Sequence, residues 1–342
     1  MNVVKGLIVL GVIAIIVVSA LALLVWNKPT SPANSPTTST PTSSSSVGPE
    51  LRIVSITPSD TQILIALGLG KYVVGVDKYS YQLLEEYNMT YLLPHNVTIL
   101  GSIRPPNITG ILLLKPTVVV AEKGLVGPYV DDMKNAGLNV LLTENDYAPN
   151  FTAIEKGIIE LGQYFNRTKQ AEELVAWMKQ MISNFSSPQR NVTTVAYLLA
   201  IYNDYSFYTV GGNVFPNDII RLAGGVNVFA NYTKYPKLQA ESLLVAKPQV
   251  IIAYNMQKAP LNSPEYTLQA LKSFPEGSEI PALRDGNYYV LDHAAASLLN
   301  QPGPLAVFGI KLVSMIINGQ APHVINATWV KANLHPTIPV FS

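Results

Sequence analysis

RTKQAEELVAWMKQMISNF, residues Arg167 to Phe185, sets Ala171, Leu174, Val175, Met178, Met181, Ile182 and Phe185 at the i, i+3, i+4, i+7 spacing of an amphipathic helix. Lys169, Glu172, Glu173, Lys179 and Gln180 fall on the other faces. Asn166 or Thr168 is expected to cap the start, and Ser186-Ser187-Pro188 to end it, because proline has no amide hydrogen to continue the ladder. Such a rod is roughly 28 Å long, the width of a small domain.

Similar text flanks the rod. Gly110 to Ala121 reads GILLLKPTVVVA, and Glu241 to Ala253 reads ESLLVAKPQVIIA. Each runs a short apolar helix into Lys-Pro (Lys115-Pro116, Lys247-Pro248) and then a β-branched strand of the kind buried on both faces of a parallel sheet. Proline after lysine stops the helix and sets the turn into the strand. Two α/β halves joined by one long helix is the economical reading; a helix–turn–strand unit recurring by chance is the plainer one.

Hydrophobic residues make up 48% of the 342 residues and charged residues 13%, about half the usual share. That supplies ample core, and a net charge of +1 argues against nucleic acid as a partner. With no cysteine there is no disulfide frame, thiol nucleophile or lipid-bearing thiol. His95, His293, His323 and His335 lie far apart and form no zinc-binding spacing.

Gly6 to Trp26 runs 21 residues without a charge, enough to cross a bilayer as a helix. Lys5 before it and Lys28 after it weakly orient the N-terminus inward. A secretory signal cleaved at Ala20-Leu21-Ala22 is the rival, although the apolar run continues to Trp26. Lys5-Gly6 also resembles the processing site of archaeal pilin-like signal peptides, which leaves the apolar segment attached. Pro29 to Gly48 is a linker, with 16 of its 20 residues proline, serine or threonine. Nine Asn-x-Ser/Thr sequons follow, at Asn88, Asn96, Asn107, Asn150, Asn166, Asn184, Asn191, Asn231 and Asn326. This composition points to an outward-facing surface protein of archaeal type, held on the cytoplasmic membrane by its N-terminal helix.

The expected organisation is an anchor or signal (1–28), linker (29–50), N-terminal lobe (51–165), interlobe helix (166–188), C-terminal lobe (189–320) and tail (321–342). In the first lobe, strands are expected at Arg52–Ile56, Val73–Val76, Val118–Ala121 and Asn139–Leu142, with a helix at Ile63–Leu69 capped by Ser59 or Asp60 and ended by Gly70. Tyr79, Tyr81 and Tyr87 are placed in or near the loop after the second strand. A helix over Phe151–Tyr164 closes this half. Thr193–Tyr202, Val250–Ala253 and Tyr288–Leu291 read as strands of the second, with helices at Asn217–Leu222 and after Gln301-Pro302-Gly303-Pro304. The alternation predicts a parallel α/β architecture. No nucleophile elbow, P-loop or dinucleotide fingerprint is present, and no catalytic constellation emerges.

Five blocks then occur in order: Ile56–Ser80, Asn107–Ala121, Tyr208–Asn231, Tyr235–Ala253 and Gln301–Ile310. Together they resemble the cobalamin and ferric-siderophore binding proteins of ABC importers, over about residues 51 to 320. The resemblance implies two Rossmann-like lobes with parallel sheets bridged by the long helix, and a shallow cleft that takes a metal-chelate ligand to a membrane permease. No cofactor is implied beyond that ligand, a corrinoid or iron chelate.

It also implies residues. Tyr79 stands where members often place an aromatic facing the ligand, and Tyr81 and Tyr205 are further candidates. Ile103-Arg104 lies where members place a ligand-contacting side chain, and arginine suits a carboxylate or phosphate. Tyr235 takes the position of a cleft tryptophan. Gln301 and Leu305 replace arginines, which weakens any claim to an anionic siderophore. His293 is within reach of the cleft, where hydrogen bonding or solvation is a simpler expectation than metal coordination. Members usually dock on the permease through one glutamate per lobe; Glu241 matches the second, and Thr109 replaces the first. The expected function is therefore a non-enzymatic, membrane-tethered solute receptor. A structural or adhesive surface module that reuses the fold is the alternative from another class, and an enzyme such as a chelatase is the third.

Overall fold

A computed structural model describes residues 50–187, 193–257 and 261–342, which belong to one compact unit. The anchor and linker segments, Pro188 and the Asn191 sequon lie outside the described residues. The first half runs β1 (Ile53–Ser55), α1 (Pro58–Ala66), β2 (Val73–Val76), α2 (Lys78–Glu86), β3 (Thr98–Ile99), α3 (Ile108–Leu113), β4 (Val118–Glu122), α4 (Lys123–Val126), α5 (Val130–Asn135), β5 (Val140–Thr143) and α6 (Phe151–Tyr164). Its strands form a parallel sheet in the order β3-β2-β1-β4-β5. After α7 (Thr168–Phe185) come β6 (Thr193–Ile201), β7 (Phe207–Thr209), α8 (Phe215–Leu222), β8 (Gly225–Asn227), β9 (Lys237–Leu238), α9 (Glu241–Ala246), β10 (Val250–Ala253), α10 (Pro264–Lys272), α11 (Pro281–Arg284), β11 (Tyr288–Leu291), α12 (His293–Asn300), α13 (Val307–Ile317), β12 (Val324–Ile325) and α14 (Ala327–Leu334).

The second sheet is ordered β12-β11-β10-β6-β7-β9, and β8 pairs with β6. The sequence predicts a parallel sheet, and here the structure differs: β7 runs antiparallel to both β6 and β9. These short edge strands carry too few alternating positions to announce themselves. The apolar runs of β4 and β10 are buried along their whole length, as strands covered on both faces must be. The internal echo is structural as well as textual. Lys115 and Lys247 each take a left-handed φ of 46° just after α3 and α9, and the following proline disfavours a right-handed helical residue there.

The helix α7 buries Ala171, Leu174 and Met178 completely. It is no free-standing strut: it packs on α6 of one half and on α13 of the other, with Trp177 and Phe185 both against Phe308. A Cβ on Gly162 would come within 2.4 Å of the Ala171 Cβ, so glycine sets how closely α6 and α7 approach. The predicted caps differ. Arg167 is the N-cap residue and contributes no side-chain cap, while Asn166 takes a left-handed φ of 53° in the turn. The first helix likewise starts earlier than expected, at Pro58 after Thr57; Ser59 and Asp60 lie inside it, and Gly68 at φ 72° supplies the left-handed turn beyond its end. The 321–342 segment is more than a tail. It supplies β12 and α14, and the Phe341 amide donates to Ala66 O at 2.9 Å.

Leu174→Ala should cost about 2–5 kcal/mol, the range for deleting a buried leucine. Because α7 packs on helices of both halves, urea melts should show one transition moved to lower denaturant, with no early partial step.

Candidate ligand cleft

The parallel strands deliver polar and aromatic side chains at their C-terminal ends, where ligands bind in open α/β sheets. Beyond β2 come Asp77, Lys78 and Tyr79; beyond β5, Asn145, Asp146 and Tyr147; beyond β10, Tyr254 to Gln257; beyond β11, Asp292 and His293. The halves meet at these ends. His293 Nδ1 lies 2.9 Å from Glu86 Oε2, and the Tyr79 ring is 6.4 Å from the His293 ring. Burial, and after it the charges of Glu86 and Asp292, push the Tyr254 phenol up to about 12. Tyr235 is 47% exposed, yet the protein around it and then the Asp146 carboxylate raise its phenol. Tyr79, Tyr147 and Met256, each just beyond a strand end, are also exposed.

Polar pins hold the halves together behind this line. Gln62 Nε2 donates to Gln301 Oε1 at 3.1 Å while Gln62 Oε1 accepts from the Leu305 amide at 3.1 Å. Gln301 Nε2 in turn donates to Ser297 Oγ at 3.0 Å. The Tyr87 hydroxyl donates to Ala294 O at 2.7 Å. A Cβ on Gly303 would sit 2.9 Å from Gln62 Oε1, so glycine leaves room for this contact.

The structure thus separates the residues named from sequence. Tyr79 and His293 come together where the halves meet, Tyr235 is placed in the field of Asp146, and Tyr79 and Tyr81 lie on α2 and not in a loop. Tyr81 packs on the main core, Tyr87 is buried, and Ile103 belongs to the apolar core of the first half. Tyr205 packs edge-on against Phe274 and lines a cavity of about 290 Å³ that shares Tyr202 and Asn203 with a neighbouring cavity of about 310 Å³. Gln301 is occupied by its interlobe bonds. Arg104 donates to Leu125 O at 2.5 Å and Gly124 O at 2.7 Å, bracing the segment beside Asp146. Glu241 and Thr109 are both exposed, in the first turns of the equivalent helices α9 and α3. Sequence reasoning passed over Glu86, Asp146 and Tyr254; Asp146 and Tyr254 were legible as residues close beyond strand ends, whereas nothing marked Glu86, at the end of α2.

A group of carboxyls lies behind the seam, at the point where the first sheet's order turns between β1 and β4. Asp60 accepts from Thr57 Oγ1 at 2.6 Å, Thr143 Oγ1 at 2.9 Å and Asn145 Nδ2 at 3.2 Å, yet its full burial outweighs these bonds and raises its pKa to about 6. Asp77 caps α2 and takes a short bond from Ser80 Oγ, and burial lifts it to about 6 as well. Burial, then the neighbouring Asp60 and Asp146, drive Glu122 well above the carboxylate range. Glu122 Oε1 and Asp146 Oδ1 are buried without a hydrogen-bond partner among the described residues. Each such group stabilises the fold fully below its unfolded pKa and loses that contribution as pH rises through its folded value. Melting temperature should therefore fall as pH rises from about 4 through about 6, the interval set by Asp60 and Asp77. Glu122→Gln, which removes the most strongly raised carboxyl, should flatten the decline; a wild-type profile that rises over this window would contradict the assignment.

Residues 53–295 match the family described as periplasmic binding protein. An ABC transporter substrate-binding lipoprotein of Bacillus subtilis, YvrC, is 27% identical over 268 residues, covering 76% of this chain and 77% of the relative. A vitamin B12-binding protein of Photorhabdus laumondii is 26% identical over 204 residues, covering 59% and 70%. Among solved structures, the periplasmic heme-binding protein RhuT from Roseiflexus superposes with a TM-score of 0.65 at 24% identity, covering 80% of this chain and 99% of that one. The vitamin B12-binding protein BtuF of Vibrio cholerae gives 0.58 at 23% identity, covering 79% and 97%. At these identities the structural likenesses speak for the fold, but the family match spans most of the chain: this α/β protein belongs to the periplasmic binding protein family.

Proposed function

We propose that the chain is the outward-facing receptor of an ABC importer, and that it captures a cobalamin-like, heme or other metal-chelate ligand without altering it. The observation that carries this reading is the approach of Tyr79, Tyr254 and His293 from both halves at the strand ends, with the exposed Tyr235 in the field of Asp146. Bulky planar ligands need flat contact area more than a deep pocket, and tyrosine offers it at low entropy cost. The B12- and heme-binding relatives support the ligand class. The apolar run Gly6–Trp26 is the proposed membrane tether, ahead of a Ser/Thr/Pro stalk. Among the described residues no helix is long and apolar enough to cross a membrane.

Seven described sequon asparagines are exposed: Asn88, Asn96, Asn107, Asn166, Asn184, Asn231 and Asn326. They are open to glycan addition on an outward-facing protein. Asn150 is half-buried, and its amide oxygen caps α6.

Docking on the permease is assigned to the exposed first turns of α3 and α9. Thr109 precedes Lys115, and Glu241 precedes Lys247, by the same interval, so the two positions are equivalent in the internal repeat. A carboxylate on one side alone implies an asymmetric electrostatic contact.

Titration with aquocobalamin, hemin and ferric chelates should quench intrinsic fluorescence saturably with at least one of them. A folded protein that binds none would favour the structural or adhesive module. Glu241→Arg should lower uptake through the cognate permease while leaving solution affinity within about twofold, because rim charges act mainly on association with the partner. A large loss of ligand affinity would contradict its placement on the docking face.

A further inference from the structure

The second half carries two cavities that the seam leaves unused. One, of about 290 Å³, opens between helix α10 and the turn at residues 202–206 that joins β6 to β7. The other, of about 310 Å³, shares Tyr202 and Asn203 with it as a common wall. None of Tyr79, Tyr235, Tyr254 and His293 lines either one, so both are separate from the group around His293.

The smaller cavity combines aromatic walls with a polar rim. Tyr202, Tyr205 and Tyr266 are half-buried, while Asn203, Gln269 and Ser273 are exposed. The turn is built to hold these rings. Tyr202 N donates to Ser206 O at 2.9 Å, and the Asp204 carboxylate accepts from the Ser206 amide at 3.0 Å and its hydroxyl at 2.6 Å. Tyr205 takes a left-handed φ of 59°, an unusual state for a bulky residue, and its ring is fixed edge-on against Phe274 at 5.4 Å between centroids. From α10, the Tyr266 hydroxyl donates to Asn203 Oδ1 at 3.0 Å, which ties the turn to the helix and leaves the Asn203 Nδ2 donors open. The Tyr202 and Tyr205 hydroxyls and the Gln269 side-chain amide make no hydrogen bond among the described residues.

No charged side chain lines this cavity, so an ion bound there would lose hydration without gaining a counter-charge. A wholly apolar ligand would instead cover amide and hydroxyl groups and leave them unmet. Both demands are satisfied by a neutral ring with apolar faces and hydroxyls around its edge. Tyrosine rings stack on such faces, and amides donate and accept at the rim. The volume sits at the low end of the usual range for small-molecule sites, roughly 300–1,000 Å³. In the adjoining cavity Lys237 Nζ lies over the Tyr202 ring, 4.3 Å from its centroid, and Asp204 is engaged by Ser206, so further hydroxyls can be met there.

We infer that the cavity between α10 and the β6–β7 turn binds a neutral saccharide ring, and that the adjoining cavity receives a second ring linked to it. The saccharide is either a free solute or the end of a glycan chain, which present the same ring. The site stands whether or not the seam holds a metal chelate.

The test is saturation-transfer NMR and calorimetric titration of the full chain with glucose, mannose, N-acetylglucosamine, maltose, chitobiose and a chitobiosyl-asparagine glycopeptide. At least one should bind saturably, with the disaccharide tighter than its monosaccharide. Equal binding of free chitobiose and the glycopeptide identifies a solute; preference for the glycopeptide identifies a glycan. Tyr266→Ala and Gln269→Ala, shown to be folded by circular dichroism and thermal melts, should each weaken binding by about tenfold, the size of one lost contact. Gln269 is exposed on α10, so its variant tests the site even where Tyr266→Ala fails to fold. No binding of any saccharide, or affinity unchanged in the folded variants, overturns the inference. So does displacement of the saccharide by hemin or aquocobalamin, which would make the cavity part of the chelate site. A disaccharide no tighter than its monosaccharide overturns the second ring. Saccharide binding in a chain that binds no chelate overturns the receptor reading alone.

Discussion

Gln62 donates across the molecule to Gln301 and accepts from the Leu305 amide, and the geometry of the cleft depends on that bond pair. Both groups of its amide are used, and the residue is 2% exposed, so breaking the contact would leave buried polar atoms unmet. Apolar packing surrounds it. The largest core cluster includes α1, α2, α6 and α7 together with α8, α12 and α13, and so runs from one sheet to the other through the helices between them. The strand ends are consequently fixed opposite each other, and α7, seated on both sides, favours small shear-like adjustments over wide hinge opening.

That arrangement sets Tyr79, Tyr254 and His293 close together at the candidate site. The carboxyls at the first sheet's turning point are buried and hold protons more firmly than exposed ones do, which lowers the negative field at the back of the seam. Tyr79, Tyr147 and Tyr235 leave aromatic surface exposed. A flat ligand can be gripped on its faces there, with directional bonds left to a few groups such as His293.

Much of the fold was legible because it is written in long apolar periods. Helix α6 matches its predicted ends, α7 differs by one residue, and β2 and β10 fall where the β-branched runs place them. The short edges β7, β8 and β9 and the segment from β12 to α14 escaped, since two or three residues carry no period. Two caps escaped for a related reason. At Asn150 and Asn326 the capping asparagine also opens a sequon, so one pattern carries two readings until coordinates show the amide oxygen accepting from the helix.

The site was legible only in part. Tyr79, Tyr235 and His293 were named in advance, but their neighbours depend on which strand ends face each other, and no local pattern encodes that. Gln301 and Ile103 show the opposite case, where a residue in a suggestive position is taken up by packing or by an interlobe bond. The most direct measurement is an anomalous-scattering map at the iron edge from crystals of the full chain grown with hemin. The account predicts a single strong peak in the seam bounded by Tyr79, Tyr254, His293 and Tyr235. A peak in the cavities around Tyr202 and Tyr266 instead, with the seam empty, would contradict it.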